Sequence, residues 1–236
     1  MRLLIIIPAY NEAENIHMVV GELRNVCPHH DYLIVNDGSK DNTSEICRQN
    51  GFAFLDLPIN LGLAGAVQAG MQYASREGYD AVLQFDGDGQ HEAGYIDALL
   101  DEMKTGKSEI VIGSRFLCKK KPKNLRMAGN SLLKLLIRMV TGVKLTDPTS
   151  GMRMFNKRMI EEFAWNLNYG PEPDTLVYLI RSGVKVTEVQ VEMRERVRGE
   201  SYLSFANSIR YMLHMIVSIL FVHWFREGVK RRDGVR

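Results

Sequence analysis

AVLQFDGDGQH, residues 81–91, is a short apolar run that passes directly into two aspartates separated by one glycine. Side chains two apart on an extended chain point the same way, so Asp86 and Asp88 can aim their carboxylates at one point. The flanking glycines let the backbone turn and let a bulky group come close. Two carboxylates with the Gln90 amide oxygen are hard donors. They suit Mg²⁺ or Mn²⁺, with the rest of the coordination left to phosphate oxygens. The pattern points to metal-assisted chemistry on a diphosphate, although Asp-Gly pairs also form plain turns. An EF-hand loop counted from Asp86 fits poorly, because its sixth position is His91 in place of glycine and its twelfth is Asp97 in place of glutamate.

Working outward, the same strand-then-polar arrangement recurs. LLIIIP (3–8) precedes a helix from about Glu12 to Val26, DYLIVND (31–37) one near 42–50, and FAFLDL (52–57) one near 62–77. The run at 81–86 precedes a helix near 93–105, and EIVIGSR (109–115) closes the series. This rhythm predicts an α/β chain with a mostly parallel sheet and helices on both faces. Ligands of such sheets lie beyond the carboxyl ends of the strands. Polar clusters fall there four times: Pro8-Ala-Tyr10-Asn-Glu12, Asn36-Asp37-Gly38-Ser39, Asp86-Gly87-Asp88 and Gly113-Ser114-Arg115. Beyond Arg115 the pattern changes. Residues 117–130 are basic and aperiodic and read as a loop, 131–142 and 174–182 as helices, and 184–193 as a strand.

The chain has 236 residues, 45% of them hydrophobic and 25% charged, which describes one folded domain, with or without an appendage. A net charge of +2 gives no nucleic-acid signal, but the charge is uneven. Lys119, Lys120, Lys121 and Lys123 cluster mid-chain, and Arg226, Lys230, Arg231, Arg232 and Arg236 crowd the end. Three cysteines, Cys27, Cys47 and Cys118, lack metal spacing and read as reduced thiols of a cytosolic protein. MRLLIIIPAYNE reads as a first buried strand and not as a leader, since its apolar run is too short and no small-residue cleavage site follows. No stretch reaches the roughly 20 apolar residues of a spanning helix.

From Ser204 to about Arg226 a long helix is expected, with polar positions Asn207, Arg210, His214 and Ser218. Residues 211–225 (YMLHMIVSILFVHWF) are apolar around most of the circumference, end in aromatics and run into the basic tail. That combination fits a helix lying on a membrane surface, with its cations on anionic headgroups. Packing between copies, or into the core, are the other readings. The division expected is a catalytic domain over 1–203 and an amphipathic helix with a basic tail over 204–236.

With these clusters in place, the chain resembles family 2 glycosyltransferases of the GT-A fold, and within them the dolichyl- and polyprenyl-phosphate sugar synthases. The likeness spans about residues 3–205 and rests on an ordered set: IPAYNE (7–12), VNDGSKDNT (35–43), NLGLAGA (60–66), FDGDGQH (85–91), GSR (113–115), DPTSGMR (147–153) and RVRGES (196–201). A dinucleotide-binding reading lacks its G-x-G-x-x-G after the first strand. The resemblance implies a Rossmann-like nucleotide-diphospho-sugar transferase with C-terminal membrane-interface helices. It implies that Pro8, Tyr10 and Glu12 line the nucleotide pocket and that Asp37 accepts from the base. Asp86, Asp88 and Gln90 would form the Mg²⁺ or Mn²⁺ site for the donor diphosphate. Ser150 and Gly151 would wall the sugar, and Arg196 and Ser201 would contact the diphosphate from the far side. Arg115 and Arg126 would hold the acceptor phosphate. Asp88, Arg115 and Arg196 are the implied catalytic groups. Asp147 reads either as a turn residue or as part of the donor site. Tyr202 stands where many dolichyl-phosphate mannose synthases have lysine, which leaves the donor between GDP-mannose and a UDP-sugar.

The expected activity is therefore an inverting, metal-dependent transfer of a sugar from a nucleotide-sugar to a polyprenyl phosphate, by a peripheral enzyme on the cytoplasmic side of the membrane. A membrane-embedded partner protein or a homo-oligomer is compatible with it; nucleic acid is not an expected partner. The alternative is transfer to a hydroxyl of a polysaccharide or lipid-linked oligosaccharide. A hydroxyl must lose a proton to a general base, and Asp174, in Pro171-Glu172-Pro173-Asp174, is the candidate. Glu172 and Asp174 read equally as first-turn residues of a helix. A third reading, a non-catalytic nucleotide-binding protein, is disfavoured by the presence of Asp86, Asp88, Arg115 and Arg196 together.

Overall fold

The computed structural model describes residues 1–118, 125–167, 169–194 and 205–221, with the backbone alone for 125–128 and 205–211. Its strands are β1 (Leu3–Ala9), β2 (Asp31–Asn36), β3 (Phe54–Asp56), β4 (Ala81–Gln84), β5 (Ile110–Ser114), β6 (Arg153–Asn156) and β7 (Val186–Gln190). Its helices are α1 (Ile16–Val26), α2 (Thr43–Gln49), α3 (Gly62–Arg76), α4 (Ile96–Lys104), α5 (Leu125–Thr141), α6 (Lys157–Glu161), α7 (Pro173–Arg181) and α8 (Phe205–Phe221). The strands form one sheet in the order β3-β2-β1-β4-β6-β5-β7. All neighbours are parallel except β6, which runs antiparallel to both β4 and β5.

Side-chain alternation divides the core in two. Leu3, Ile5, Ile7, Ile34 and Leu83 pack on one face with Val19, Val20, Leu23, Leu99 and Met103 of α1 and α4. Leu4, Ile6, Leu33, Val35 and Val82 pack on the other with α3, α5, α6, α7 and α8. Covered on both faces, β1 can be apolar at every position, and Leu3 to Ile7 are each at most 2% exposed. Each such side chain contributes roughly 1.5–3 kcal/mol by burial, which makes β1 the spine of the sheet.

The β-α rhythm read from the sequence is present from β1 to β5. The basic stretch expected as a loop over 117–130 contains the start of α5, at Leu125. The antiparallel strand β6 and the helical segment 157–166 have no counterpart among the expected elements, whereas the helix expected over 174–182 is present as α7. Residues 153–156 are only four long and begin with Arg153, so neither length nor alternation marks them as a strand.

α8 packs against α5 and α7. Of its polar positions with described side chains, His214 is exposed but Ser218 is buried with Met215 and Ile219, whereas Leu213, Val217 and Phe221 are exposed. Ser218 Oγ donates to Asp174 Oδ2 at 2.6 Å, and this polar pair draws the serine inward. No helix among the described residues is long and apolar enough to cross a membrane.

Candidate active site

The ends of β1, β2, β4 and β5 converge through loops that interlock tightly. After β2, Asp37 is buried and its Oδ1 accepts the Leu61 N–H at 2.7 Å, fixing the entry to α3. Gly38 has φ +63°, and a Cβ there would stand 2.6 Å from the backbone of Ile59 and Asn60, so only glycine fits. After β1, Asn11 holds a left-handed φ of 56°. Its Oδ1 accepts the Lys40 N–H at 2.8 Å, and its own N–H donates to Ser39 Oγ at 2.9 Å. These bonds offset the strain of a non-glycine residue there. Glu12 is buried; its N–H donates to Thr43 Oγ1 at 3.0 Å and its Oε2 accepts from Asn15 Nδ2 at 2.7 Å. Pro8 and Tyr10 lie half-buried beside it. The first two polar clusters of the sequence are thus one packed unit.

The loop after β4 meets the same unit: a Cβ on Gly87 would lie 3.1 Å from the Pro8 carbonyl oxygen. Asp86 is one-third exposed. Its N–H donates to His91 Nδ1 at 2.9 Å, which leaves the proton of that ring on Nε2, 3.5 Å from Asp86 Oδ2. Gln84 Nε2 donates to Asp86 Oδ1 at 3.2 Å. Asp88 Oδ1 accepts the Gln90 N–H at 3.0 Å, closing a tight turn around Gly89. His91 is buried edge-on against Phe85, so its ring is a fixed support for the first aspartate.

The segment before β6 closes the site from the other side. A Cβ on Gly151 would fall 2.4 Å from Asp86 Oδ2. Glycine there leaves the carboxylate its place. Ser150 Oγ donates to the Gly113 carbonyl at 2.5 Å, tying this segment to β5. Arg153, buried, donates from Nε to the Ser150 carbonyl at 2.8 Å and from Nη2 to the Pro148 carbonyl at 2.6 Å, and Nη1 reaches the Pro171 carbonyl. A buried guanidinium bonded to three carbonyls is an organiser of loops 147–151 and 171–173.

Arg115, at the end of β5, is clamped by Asp147. Its Nε donates to Oδ2 at 2.6 Å and its Nη2 to Oδ1 at 2.8 Å, and Asp147 is fully buried. Glu188 of β7 accepts the N–H groups of Thr146 and Asp147 at 2.7 and 2.8 Å, holding the clamp from behind. The guanidinium is one-third exposed, and among the described residues its Nη1 makes no hydrogen bond. It is a cation aimed by a buried carboxylate and open on one edge.

The chain after β7 returns to the loop of Asp86 and Asp88. The Arg194 N–H donates to the Gln90 carbonyl at 2.9 Å, and Met193 bridges His91. Arg194 also donates to Glu22 at 2.6 Å, and that bond raises its pKa above the ordinary arginine value. Arg196, Ser201, Tyr202, Lys119, Lys120, Lys121 and Lys123 lie outside the described residues, as does the Arg126 side chain.

Of the residues expected from sequence, Pro8, Tyr10, Glu12, Asp37, Asp86, Asp88, Gln90, Arg115, Ser150 and Gly151 all sit at this edge of the sheet. Asp174 is nine-tenths buried in the first turn of α7, with Oδ2 held by Ser218 and Oδ1 by the Thr175 N–H at 2.8 Å. Sequence reading gave no role to His91, Arg153 or Glu188. Neither Glu188, in VTEVQ, nor Arg153, leading RMFN, stands out from its strand as a charge in an apolar run.

A sequence-family profile described as "Glycosyl transferase family 2" matches residues 4–163. An undecaprenyl-phosphate mannosyltransferase of Micrococcus luteus is 31% identical, with all of both chains covered. A polyprenol monophosphomannose synthase of Mycolicibacterium smegmatis is 30% identical over 87% of this chain and 82% of its own. Among solved structures, a glucosyl-3-phosphoglycerate synthase from Mycobacterium tuberculosis, crystallised with Mn²⁺, UDP-glucose and phosphoglyceric acid, superposes with a TM-score of 0.68. The match covers 92% of this chain and 79% of that one, at 17% identity, a likeness of fold.

Proposed function

The chain belongs to glycosyltransferase family 2 and carries a GT-A-like α/β fold, and from that premise we propose that this enzyme transfers a sugar from a nucleotide-sugar to a polyprenyl phosphate. The observation that carries the choice of acceptor is Asp174. A sugar hydroxyl needs a general base, and the carboxylate nearest that role has one oxygen bonded to Ser218 and the other to a backbone amide, in a buried position. A phosphate monoester is already an anion near pH 7 and needs no base. What it needs is a positioned cation, and Arg115 is one. The two relatives named above use acceptors of this class.

The residues of the loop after β4 fit a divalent cation. Asp86, Asp88 and the Gln90 amide supply hard oxygen donors, and Gly151 leaves open the face of Asp86 that any larger residue would fill. Mg²⁺ or Mn²⁺ there would neutralise charge on the diphosphate as it departs. His91 and Gln84 fix the Asp86 carboxylate. Pro8, Tyr10, Glu12 and Asp37 would receive the nucleotide, and Ser150 and Gly151 would wall the sugar. Arg196 and Ser201 would reach the diphosphate from the segment that follows Arg194. The open edge of Arg115, with Arg126, would hold the acceptor phosphate in line, each charge-assisted bond contributing about 1.5–3 kcal/mol. An acceptor phosphate oxygen then bonds to the anomeric carbon while the bond to the nucleoside diphosphate breaks, its electron pair leaving with the diphosphate. A single displacement inverts that carbon.

The lipid acceptor requires access to a bilayer. Leu132, Leu135 and Met139 of α5 and Leu213, Val217 and Phe221 of α8 are all exposed on two helices that pack together. We assign this apolar pair to the membrane surface, on the cytoplasmic side, with residues 204–236 and the exposed face of α5 as the membrane-facing part and the rest of 1–203 as the catalytic part. The test is direct. The full chain is incubated with Mn²⁺, undecaprenyl phosphate and radiolabelled GDP-mannose, UDP-glucose or UDP-N-acetylglucosamine in turn. Label entering the organic phase supports the reading. Label entering only a water-soluble glycoside, formed on an added sugar hydroxyl, overturns the acceptor assignment.

A further inference from the structure

We propose that His29, His30 and Asp97 form a second cation site, for a borderline divalent metal such as Zn²⁺, at the edge of the sheet opposite the reaction centre. His29 and His30 immediately precede β2, whereas Asp86 and Asp88 follow β4. The two strands run the same way beside β1, so these clusters lie at opposite ends of the sheet.

Both imidazoles point Nε2 at one carboxylate oxygen. His30 Nε2 lies 3.2 Å and His29 Nε2 3.6 Å from Asp97 Oδ1. The three ligand atoms all fall within 4.8 Å of one another. Zn–N and Zn–O bonds of about 2.0–2.1 Å in a tetrahedron set neighbouring ligands roughly 3.4 Å apart. The two His–Asp edges straddle that value, and the His–His edge is no longer than 4.8 Å. The rings lie in contact, tilted by 55° with centroids 4.1 Å apart, and the His30 side chain is 8% exposed, so one ligand is held in place by packing. His29 and Asp97, each 58% exposed, leave the fourth position to water. Two imidazoles and one carboxylate select Zn²⁺, Co²⁺ or Ni²⁺ over Mg²⁺, which takes oxygen donors.

The site opens into a cavity of about 320 Å³ at whose rim Arg2 and Lys104 lie. These cations do not oppose a metal strongly, because each has its own partner: Arg2 reaches Asp31 at 3.3 Å and Lys104 reaches Asp101 at 2.9 Å. A metal here would join the turn after α1 to the first turn of α4. The buried Cys27 thiol already links these segments, donating to the Ala93 carbonyl. α4 follows the loop of Asp86 and Asp88, so the cation acts as a brace beneath that loop and takes no part in transfer.

The test is zinc titration of the metal-free full chain by calorimetry, with Co²⁺ as an optical probe. Four variants are compared with wild type: His29→Ala, His30→Gln, Asp97→Asn and Asp86→Asn/Asp88→Asn. The proposal expects one zinc per chain. Loss of a supporting group around a metal costs about 10–100-fold in affinity, so loss of a ligand in the first three variants should cost at least about 100-fold. The double aspartate variant keeps the zinc. Cobalt should give the intense visible band of four-coordinate geometry in wild type and in the aspartate variant only. Asp97→Asn, an exposed isosteric change, guards against loss through misfolding. Zinc affinity unchanged in the three ligand variants, abolished in the double aspartate variant, or absent from wild type overturns the assignment. Each of these outcomes is independent of whether sugar transfer to a lipid is observed.

Discussion

Removing either partner of the Arg115–Asp147 clamp tests the energetic centre of the site. Asp147 is fully buried and accepts two charge-assisted bonds, at 2.6 and 2.8 Å, from one guanidinium. Such bonds contribute about 1.5–3 kcal/mol each when shielded. The guanidinium is one-third exposed, and solvent there takes back part of that gain. A coupling of about 2 kcal/mol remains as the expectation. Arg115→Met strips a buried carboxylate of its counter-charge and should destabilise by about 3 kcal/mol. Asp147→Asn keeps the shape but turns a donor toward a donor, at about 2 kcal/mol. The double variant should then cost about 3 kcal/mol and not the additive 5 or so. Urea unfolding of the four proteins, with unchanged m-values, gives the cycle directly. In parallel, Asp147→Asn should raise the KM for polyprenyl phosphate far more than that for the nucleotide-sugar, because it releases a cation assigned to the acceptor. Additivity within about 0.5 kcal/mol would refute the clamp. A selective rise in donor KM would place Arg115 on the wrong substrate.

Asp88→Ala should leave the melting temperature nearly unchanged and abolish transfer at any Mn²⁺ concentration, measured as label in the lipid phase; near-wild-type activity would remove the metal from the mechanism. Gly151→Ala forces a Cβ to within 2.4 Å of Asp86 Oδ2 and should cost about 1–3 kcal/mol together with most of the activity, read by urea unfolding and initial rates. Burial pushes the Cys27 and Cys47 thiols from 9.0 up to about 11. Their protons are thus held more tightly in the folded chain than in the unfolded one, so stability is full below pH 9 and falls as pH rises toward 11, by about 2–3 kcal/mol per thiol. Chemical denaturation at pH 8 and pH 10.5 measures that slope, and Cys27→Ala should reduce it. In the native chain Cys118, which is exposed, should react rapidly with maleimide, whereas Cys27 and Cys47 should react only after urea is added.

The parallel half of the sheet was legible because β1, residues 33–35 of β2 and residues 81–83 of β4 are apolar on both faces and lead into polar clusters. β6 escaped because a strand of four residues led by arginine carries no periodic signal, and its placement between β4 and β5 is decided by partners far off in sequence. The start of α5 escaped because lysines dominate the residues before it. At the site, the acidic pair and Gly151 could be found from their motifs. The support given by His91 to Asp86, and by Glu188 to the segment at Asp147, could not: the first depends on how the short turn at 86–91 folds back on itself, the second on the sheet bringing together residues 41 apart. The burial of one polar position of α8 was hidden for a related reason. Ser218 turns inward because Asp174 waits there, and no residue within the helix itself announces that partner.

That same serine-to-carboxylate bond governs how the molecule can meet any other body. A helix riveted to its neighbours through a buried polar contact cannot serve as a leash that pays out and lets the rest drift. Whatever receives Leu213, Val217 and Phe221 receives the whole sheet with them, at one fixed height and tilt. On the function proposed above, the reaction centre then works at a set standoff from that surface, and the long, flexible acceptor must climb to it.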